Sequence, residues 1–138
     1  MRRFIRHPTD FPILIFSMGS SHGDKASLCD ISLSGLACSL QREYWPDAPV
    51  ALAIPSIQKD CRFSGRVLRC TRCPGGYRVA ITFSDEAESF KRKMVEQVCQ
   101  IEHYRQELRR DGRELDSETA AREWIERFGS EFAEIFSG

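Results

Sequence analysis

Apolar and β-branched residues form short runs between residues 12 and 83, separated by clusters rich in Gly, Pro, Ser or Asp. Such runs are typical of strands, and the clusters are typical of turns. The clearest pair of runs is joined by Pro74-Gly75-Gly76, which indicates a hairpin. Short strands in close succession without intervening helices favour a small antiparallel barrel over a parallel sheet. The predicted strands are residues 12–18, 26–32, 36–40, 50–54, 63–70 and 77–83.

The period of the apolar positions changes after Ser84. From residue 87 to residue 108, apolar side chains recur every three or four positions, the spacing of an amphipathic helix. Gly112 suits the end of this helix, and Asp116 or Ser117 can cap a second one. The pattern therefore predicts an all-β core with an α extension, made of one long helix and a second helix.

The length of the chain is that of a single domain with a sizeable core. We expect residues 1–100 to form the barrel domain together with the start of its first C-terminal helix, near residue 85. Residues 101–138 are expected to be a helical extension and not an independent domain.

The second predicted helix carries an aromatic stripe, with Trp124, Phe128 and Phe132 at four-residue steps. Packing against the first helix or the barrel is the simplest interpretation. Self-association through the C-terminal helices and docking of an unknown protein partner are the alternatives.

Charge and composition narrow the function classes. The 20 basic and 20 acidic side chains cancel, which argues against a general DNA or RNA binder. The distribution is uneven, since residues 1–7 hold three arginines, one histidine and no acid. Positive potential is therefore concentrated at the N-terminal end.

The sequence lacks the pattern of an export signal, and the apolar run at residues 11–16 is too short to span a membrane. Six cysteines are too few for a disulfide scaffold in a chain of 138 residues. We therefore expect a cytoplasmic, reduced protein that does not insert into a membrane.

Cys70 and Cys73 form a Cys-x-x-Cys pair, a spacing that serves zinc sites and redox centres. The pair stands alone, whereas a tetrahedral zinc site needs four ligands, and no histidine lies near it in sequence to act as a base. A strand end entering a turn is the simpler interpretation. We expect no metal site and no enzymatic activity, with a redox protein centred on this pair as an alternative.

Two short motifs carry the strongest chemical signal. Arg2 and Arg6 form Arg-x-x-x-Arg, and their planar guanidinium groups can each donate paired hydrogen bonds to a phosphate or to guanine O6 and N7. Asp30, Ser32 and Gly35 form Asp-x-Ser-x-x-Gly. The carboxylate can accept from the donor edge of guanine, the hydroxyl can reach a phosphate or the backbone, and the glycine permits a turn or a close approach.

In order and spacing these motifs resemble the signature of the PilZ domain, the bacterial receptor module for cyclic di-GMP. Residues 61–69 and 77–83 are also similar to later strands of that barrel, so the resemblance covers residues 1 to about 100. It implies a six-stranded antiparallel PilZ-type barrel, a role in second-messenger signalling, and cyclic di-GMP as ligand without any further cofactor.

The resemblance implies that five residues bind the ligand: Arg2, Arg6, Asp30, Ser32 and Gly35. Arg3 and His7 adjoin the motif arginines and are secondary candidates for contact with the ligand. The equal alternative is that each is a solvated residue of the tail. Met1 occupies the position before the motif, which in this family bears on whether one ligand or an intercalated pair is bound.

A mechanism follows from the position of the arginines. Untethered terminal segments are usually disordered, so we expect ligand binding to order the N-terminal tail across the barrel and create a surface for a partner. The alternative is a degenerate PilZ-fold adaptor that binds protein through its C-terminal helices without nucleotide. Convergence of the two motifs in space distinguishes these hypotheses.

Overall fold

The strand and helix patterns are realised as seven strands and two helices in a computed structural model, which describes residues 3–5, 9–57, 62–84 and 88–137. Side chains are described for residues 9–57, 62–84 and 93–128. The strands are β1 (Arg3–Ile5), β2 (Pro12–Ser17), β3 (Asp24–Ser32), β4 (Gly35–Leu40), β5 (Pro49–Ala53), β6 (Phe63–Cys73) and β7 (Gly76–Phe83). The helices are α1 (Glu88–Arg110) and α2 (Ser117–Ser137).

Six of the strands close into a barrel. Going round it, β3 pairs with β2, β2 with β5, β5 with β6, β6 with β7, β7 with β4, and β4 returns to β3. All of these pairings are antiparallel, which confirms the predicted six-stranded barrel followed by two helices. The short strand β1 adds to the outside of this ring by pairing with β3.

The hairpin between β6 and β7 is longer than predicted. The first strand continues past residue 70 to Cys73, which lies opposite Gly76, so only Pro74 and Gly75 form the turn. Gly75 has a φ of 84°, a conformation that glycine adopts at little cost.

A bulge in β3 decides which side chains face outward. Leu28 and Ile31 are three positions apart, yet both are buried in the core. In a regular strand, side chains three positions apart point to opposite faces of the sheet. The β-bulge between Leu28 and Asp30 inserts one extra residue, which allows both Leu28 and Ile31 to face the core. With Ile31 inside, Asp30 and Ser32 belong to the outer face of the sheet.

Both helices contribute to the cluster of buried apolar side chains that fills the barrel. From α1 the contributors are Met94, Val95, Val98, Ile101 and Tyr104, and from α2 they are Ala120, Ala121 and Trp124. Trp124 is therefore a core residue. This agrees with the simplest interpretation of the aromatic stripe, which was packing against the first helix or the barrel. Phe128 is 39% exposed and contacts the rings of Tyr104 and Trp124, whereas the side chain of Phe132 lies outside the described residues.

A polar network ties the helices to the start of β2. Arg105 lies 2.8 Å from Asp10 through Nη1 and Oδ1, and its Nε donates to the Leu115 carbonyl at 2.7 Å. Ser117 is fully buried, and its Oγ lies 2.6 Å from Asp10 Oδ1 and 2.5 Å from Glu102 Oε1. Since Asp10 lies two residues before β2, the network holds the turn between the helices against the barrel.

The two capping candidates of α2 have different roles. The side chain of Asp116 accepts a hydrogen bond from the Thr119 amide at 2.7 Å, the contact expected of an N-cap residue. The hydrogen bonds from Thr119 lower the pKa of Asp116. Ser117 instead belongs to the buried network, so its hydroxyl serves tertiary contacts.

The Cys-x-x-Cys pair lies along an extended strand. Cys70 is opposite Val79 and Cys73 is opposite Gly76. Three steps of about 3.3 Å place their Cα atoms roughly 10 Å apart, and a disulfide cannot bridge Cα atoms more than about 7 Å apart without backbone movement. Within the described part of the chain, no group of three or more His, Cys, Asp or Glu side chains is arranged to hold a metal ion.

Mild oxidation of the folded protein is therefore expected to leave Cys70 and Cys73 unlinked to each other. Peptide mapping by mass spectrometry after diamide treatment measures this, and the same treatment in denaturant, where the chain is free to bring the two thiols together, is the control. A Cys70–Cys73 disulfide recovered at high yield from the folded protein would contradict the extended geometry of β6.

Over the residues that the structure describes, neither α1 nor α2 combines the length and the apolarity that crossing a bilayer requires.

Candidate functional site

The pairing of β1 with β3 places the segment between the two motif arginines next to the strand that carries the second motif. Arg3 lies opposite Ser32, and Ile5 lies opposite Ile31. The backbone between the two motif arginines therefore runs alongside the strand that carries Asp30 and Ser32. Paired strands lie about 4.8 Å apart, so the arginine segment and the Asp-x-Ser segment are immediate neighbours.

Several of the predicted ligand residues lie outside the described part of the chain. Arg2, Arg6 and His7 are not described, and only the backbone of Arg3 is. The segment Arg3–Ile5 is a strand within this fold. The expectation that the arginines gain a fixed position from the ligand is untested and stays a prediction.

Asp30 is the most constrained of the described motif residues. It is 8% exposed, and its Oδ2 accepts a hydrogen bond from Arg78 Nη2 at 2.8 Å. A buried carboxylate without a cation or donor costs several kcal/mol, on the order of the penalties measured for broken buried pairs. Arg78 on β7 therefore contributes the positive charge that allows Asp30 to be buried on the outer face.

Arg78 was not identified from the sequence. Its outward direction could have been inferred, because Val79 and Ile81 follow the alternation of a strand with one face in the core. Its position beside Asp30 depends on β4 pairing with both β3 and β7. No local pattern specifies that arrangement.

Ser32 organises the loop between β3 and β4. Its Oγ accepts from the Ser34 amide at 3.3 Å, lies 3.2 Å from Ser34 Oγ, and donates to the Gly35 carbonyl at 3.4 Å. Of the two roles considered for this hydroxyl, stabilising the loop is the one visible in its contacts. Contact with a phosphate stays a prediction.

Gly35 is required by the packing of two strands. A Cβ atom at this position would lie 2.2 Å from the carbonyl oxygen of Ile81 on β7. Real Cβ atoms do not approach a backbone oxygen so closely, and the oxygen cannot rotate away as the end of a side chain could. The motif glycine was expected to permit a turn or the close approach of a ligand. In the fold it permits the close approach of β7.

The residues beside Asp30 on the outer face combine one arginine with two alanines. Going across the outer face, Asp30 lies opposite Ala37, and Ala37 lies opposite Ala80. In the next row Arg78 lies opposite Ser39. We call Asp30, Ala37, Arg78 and Ala80 the outer patch. Ala37 is only 5% exposed and Ala80 is partly buried. The carboxylate of Asp30 and the guanidinium group of Arg78 lie beside them, and together they offer acceptors and donors to the polar edge of a ring.

A separate cavity of about 900 Å³ is lined by residues of β2, β3, β4 and α2. Its lining combines apolar strand residues with four charged side chains, Lys25, Glu118, Arg122 and Glu126. Ser39 lines this cavity and lies opposite Arg78. The described motif residues Asp30, Ser32 and Gly35 do not line it.

Residues 1–100 match the family model described as PilZ domain. Among solved structures, Escherichia coli YcgR in complex with c-di-GMP is similar at a TM-score of 0.56 and 14% identity, over 81% of this chain. The Bacillus subtilis inhibitor of motility, MotI/DgrA, is similar at a TM-score of 0.50 and 16% identity, over 70% of this chain.

At these identities the similarity establishes the fold. Each alignment spans 49% of the length of the solved chain, so this chain corresponds to about half of each of those proteins. Among curated proteins, no sequence match to this chain is found.

Proposed function

This chain belongs to the PilZ domain family, and we propose that it is a receptor for cyclic di-GMP in bacterial second-messenger signalling. The observation that carries the proposal is the register of β1 on β3, with Arg3 opposite Ser32. It brings the backbone of the arginine segment to the strand that holds the carboxylate and the hydroxyl. One of the similar solved structures, YcgR, is itself a complex with c-di-GMP.

The proposed division of labour follows the chemistry of the ligand, which has two phosphates and two guanines. Arg2 and Arg6 bind the anionic oxygens or the O6 and N7 edge of a guanine through charge-assisted hydrogen bonds. Asp30 accepts from the N1–H and N2–H₂ donors of one guanine. Arg3 and His7 remain secondary candidates on either side of these contacts.

Binding then acts on the N-terminal segment. Because Arg3–Ile5 is already paired with β3 in the fold, the proposed ordering concerns the arginines that flank this short strand. Ligand contacts would fix both ends of the strand against the barrel. The resulting composite surface, together with the helical extension of residues 101–138, is the proposed signal to a partner.

A second candidate is an adaptor that binds a protein partner without nucleotide. Phe128 favours it, since this large aromatic side chain is 39% exposed on α2 beside Tyr104 and Trp124. Exposed aromatic residues are enriched where proteins bind one another. The two candidates differ in whether cyclic di-GMP binds at all.

Calorimetric titration with cyclic di-GMP distinguishes them. We expect the native protein to bind, and Arg2→Ala, Arg6→Ala and Asp30→Ala each to weaken binding by about ten- to hundredfold. A hydrogen bond to a charged group contributes about 1.5–3 kcal/mol, and about 1.4 kcal/mol corresponds to a factor of ten. Arg110→Ala is the control, because this arginine is exposed in the last turn of α1, outside the motifs.

The outcomes are separable. Absence of binding to the native protein would replace the receptor hypothesis with the adaptor hypothesis. Binding that is equally strong in the Arg2, Arg6 and Arg110 variants would show that the arginine motif is not the ligand site.

A further inference from the structure

We propose that Arg78 is a ligand-contacting residue that acts with Asp30 to select guanine over adenine in the bound cyclic dinucleotide. The inference rests on the proposed receptor function and extends it to a residue outside both motifs. It depends on the geometry of the outer patch.

The first part of the argument is the position of Arg78. Its Nη2 holds Asp30 Oδ2 at 2.8 Å, and its side chain is 42% exposed while that of Asp30 is 11% exposed. Among the described residues, this guanidinium group pairs with Asp30. A guanidinium group has five N–H donors, so one bond to Asp30 leaves the group able to donate to a ligand at the open side of the patch.

The second part is the order of donors and acceptors. Asp30 presents acceptors, and Arg78 presents donors directly beside them. The Watson–Crick edge of guanine has the complementary order, with N1–H and N2–H₂ as donors next to O6 as acceptor. Asp30 can therefore accept from N1–H and N2–H₂ while Arg78 donates to O6, and the ion pair fixes the carboxylate in the required orientation.

Adenine reverses this order. Its N6–H₂ donors occupy the place of O6 and would face the donors of Arg78, while its N1 acceptor would face the Asp30 carboxylate. Both contacts would be unfavourable. Two donors or two acceptors that face each other form no hydrogen bond, and both groups are left desolvated and unsatisfied. Ala80 lies two positions from Arg78 on the same face and is only partly buried, so its methyl group can pack against the face of the base.

The test measures dissociation constants for cyclic di-GMP and cyclic di-AMP by calorimetry in the native protein, Arg78→Met and Arg78→Lys. We expect Arg78→Met to weaken cyclic di-GMP binding and to reduce the ratio of the two constants by about ten- to hundredfold, the range for loss of a paired base contact. Arg78→Lys keeps the charge beside Asp30 but loses the planar fork, so it should recover thermal stability without recovering the full preference.

Arg42→Met is the matched control. Arg42 also pairs with a carboxylate of β3, since its Nη1 lies 3.0 Å from Asp24 Oδ2, and it is exposed to a similar extent. Asp24 keeps the hydroxyl of Tyr44 as a second partner. Both dissociation constants should stay within about twofold of the native values, because the pair lies at the opposite end of β3 from Asp30.

The failures can be told apart. If the native protein binds neither dinucleotide, the receptor function and this inference fall together. If it prefers cyclic di-GMP and both Arg78 variants keep the native ratio, the inference is overturned and the receptor function stands. If Arg78→Met does not fold, the test is the ratio of the two dissociation constants in Arg78→Lys. A ratio equal to the native one would then overturn the inference.

Discussion

Gly35→Ala is expected to destabilise the barrel by about 3 kcal/mol, the upper part of the range for overpacking a closely packed site. The new Cβ would lie 2.2 Å from the Ile81 carbonyl oxygen. Relief requires β4 and β7 to separate, and these strands pair along the whole of β4, from Gly35 to Leu40. Chemical denaturation, with the midpoint and slope fitted together, measures the loss.

Ser39→Ala is the control for this substitution. Ser39 lies on the same strand and is exposed, so its replacement should change the free energy of unfolding by less than about 1 kcal/mol. An unchanged unfolding midpoint in Gly35→Ala would mean that the two strands do not approach as closely as described. The result also affects how binding data are interpreted, because lost cyclic di-GMP binding in Gly35→Ala would reflect a distorted sheet.

Arg105→Met is expected to lower the free energy of unfolding by about 3 kcal/mol, near the low end of the range for breaking a buried pair. Glu102 has only 7% of its side chain exposed, and Arg105 Nη1 lies 3.5 Å from it. Asp10 is 47% exposed and can be partly solvated when its partner is lost, which limits the cost. Denaturant unfolding measures the change, and amide hydrogen exchange should show the start of α2 losing protection.

Arg109→Met tests whether burial is the cause. Arg109 lies on the same helix and pairs with Glu114 at 3.1 Å, but both side chains are more than half exposed. Exposed pairs contribute less than about 1 kcal/mol, so this variant should be nearly neutral. Equal destabilisation by the two substitutions would show that the Asp10 network does not anchor the helices.

Local patterns accounted for most of the fold. Runs of apolar and β-branched residues between turn clusters located all six barrel strands to within three residues at each end. The apolar spacing of three to four residues located both helices, because each helix has one face in the core. The strand Arg3–Ile5 was not predicted, since three residues with two polar or charged neighbours have no readable period.

The assignment of ligand-binding residues stays a prediction. The β1–β3 register brings the backbone of Arg3–Ile5 beside the strand that carries Asp30 and Ser32. Arg78 could not be found from the sequence, because its proximity to Asp30 arises from pairing between strands that are far apart in the chain.

Tertiary contacts also revealed structural roles that the sequence did not indicate for residues of its motifs. Gly35 was identified as a motif glycine. The reason that no side chain fits there is a backbone carbonyl on β7. Cys70 and Cys73 had the spacing of a paired site, but an extended strand holds them apart. By itself, then, the sequence determined the elements and the donor and acceptor chemistry, which depend on near neighbours in the chain. Only the closed barrel decided which of those groups face one another, because that depends on pairing between distant strands.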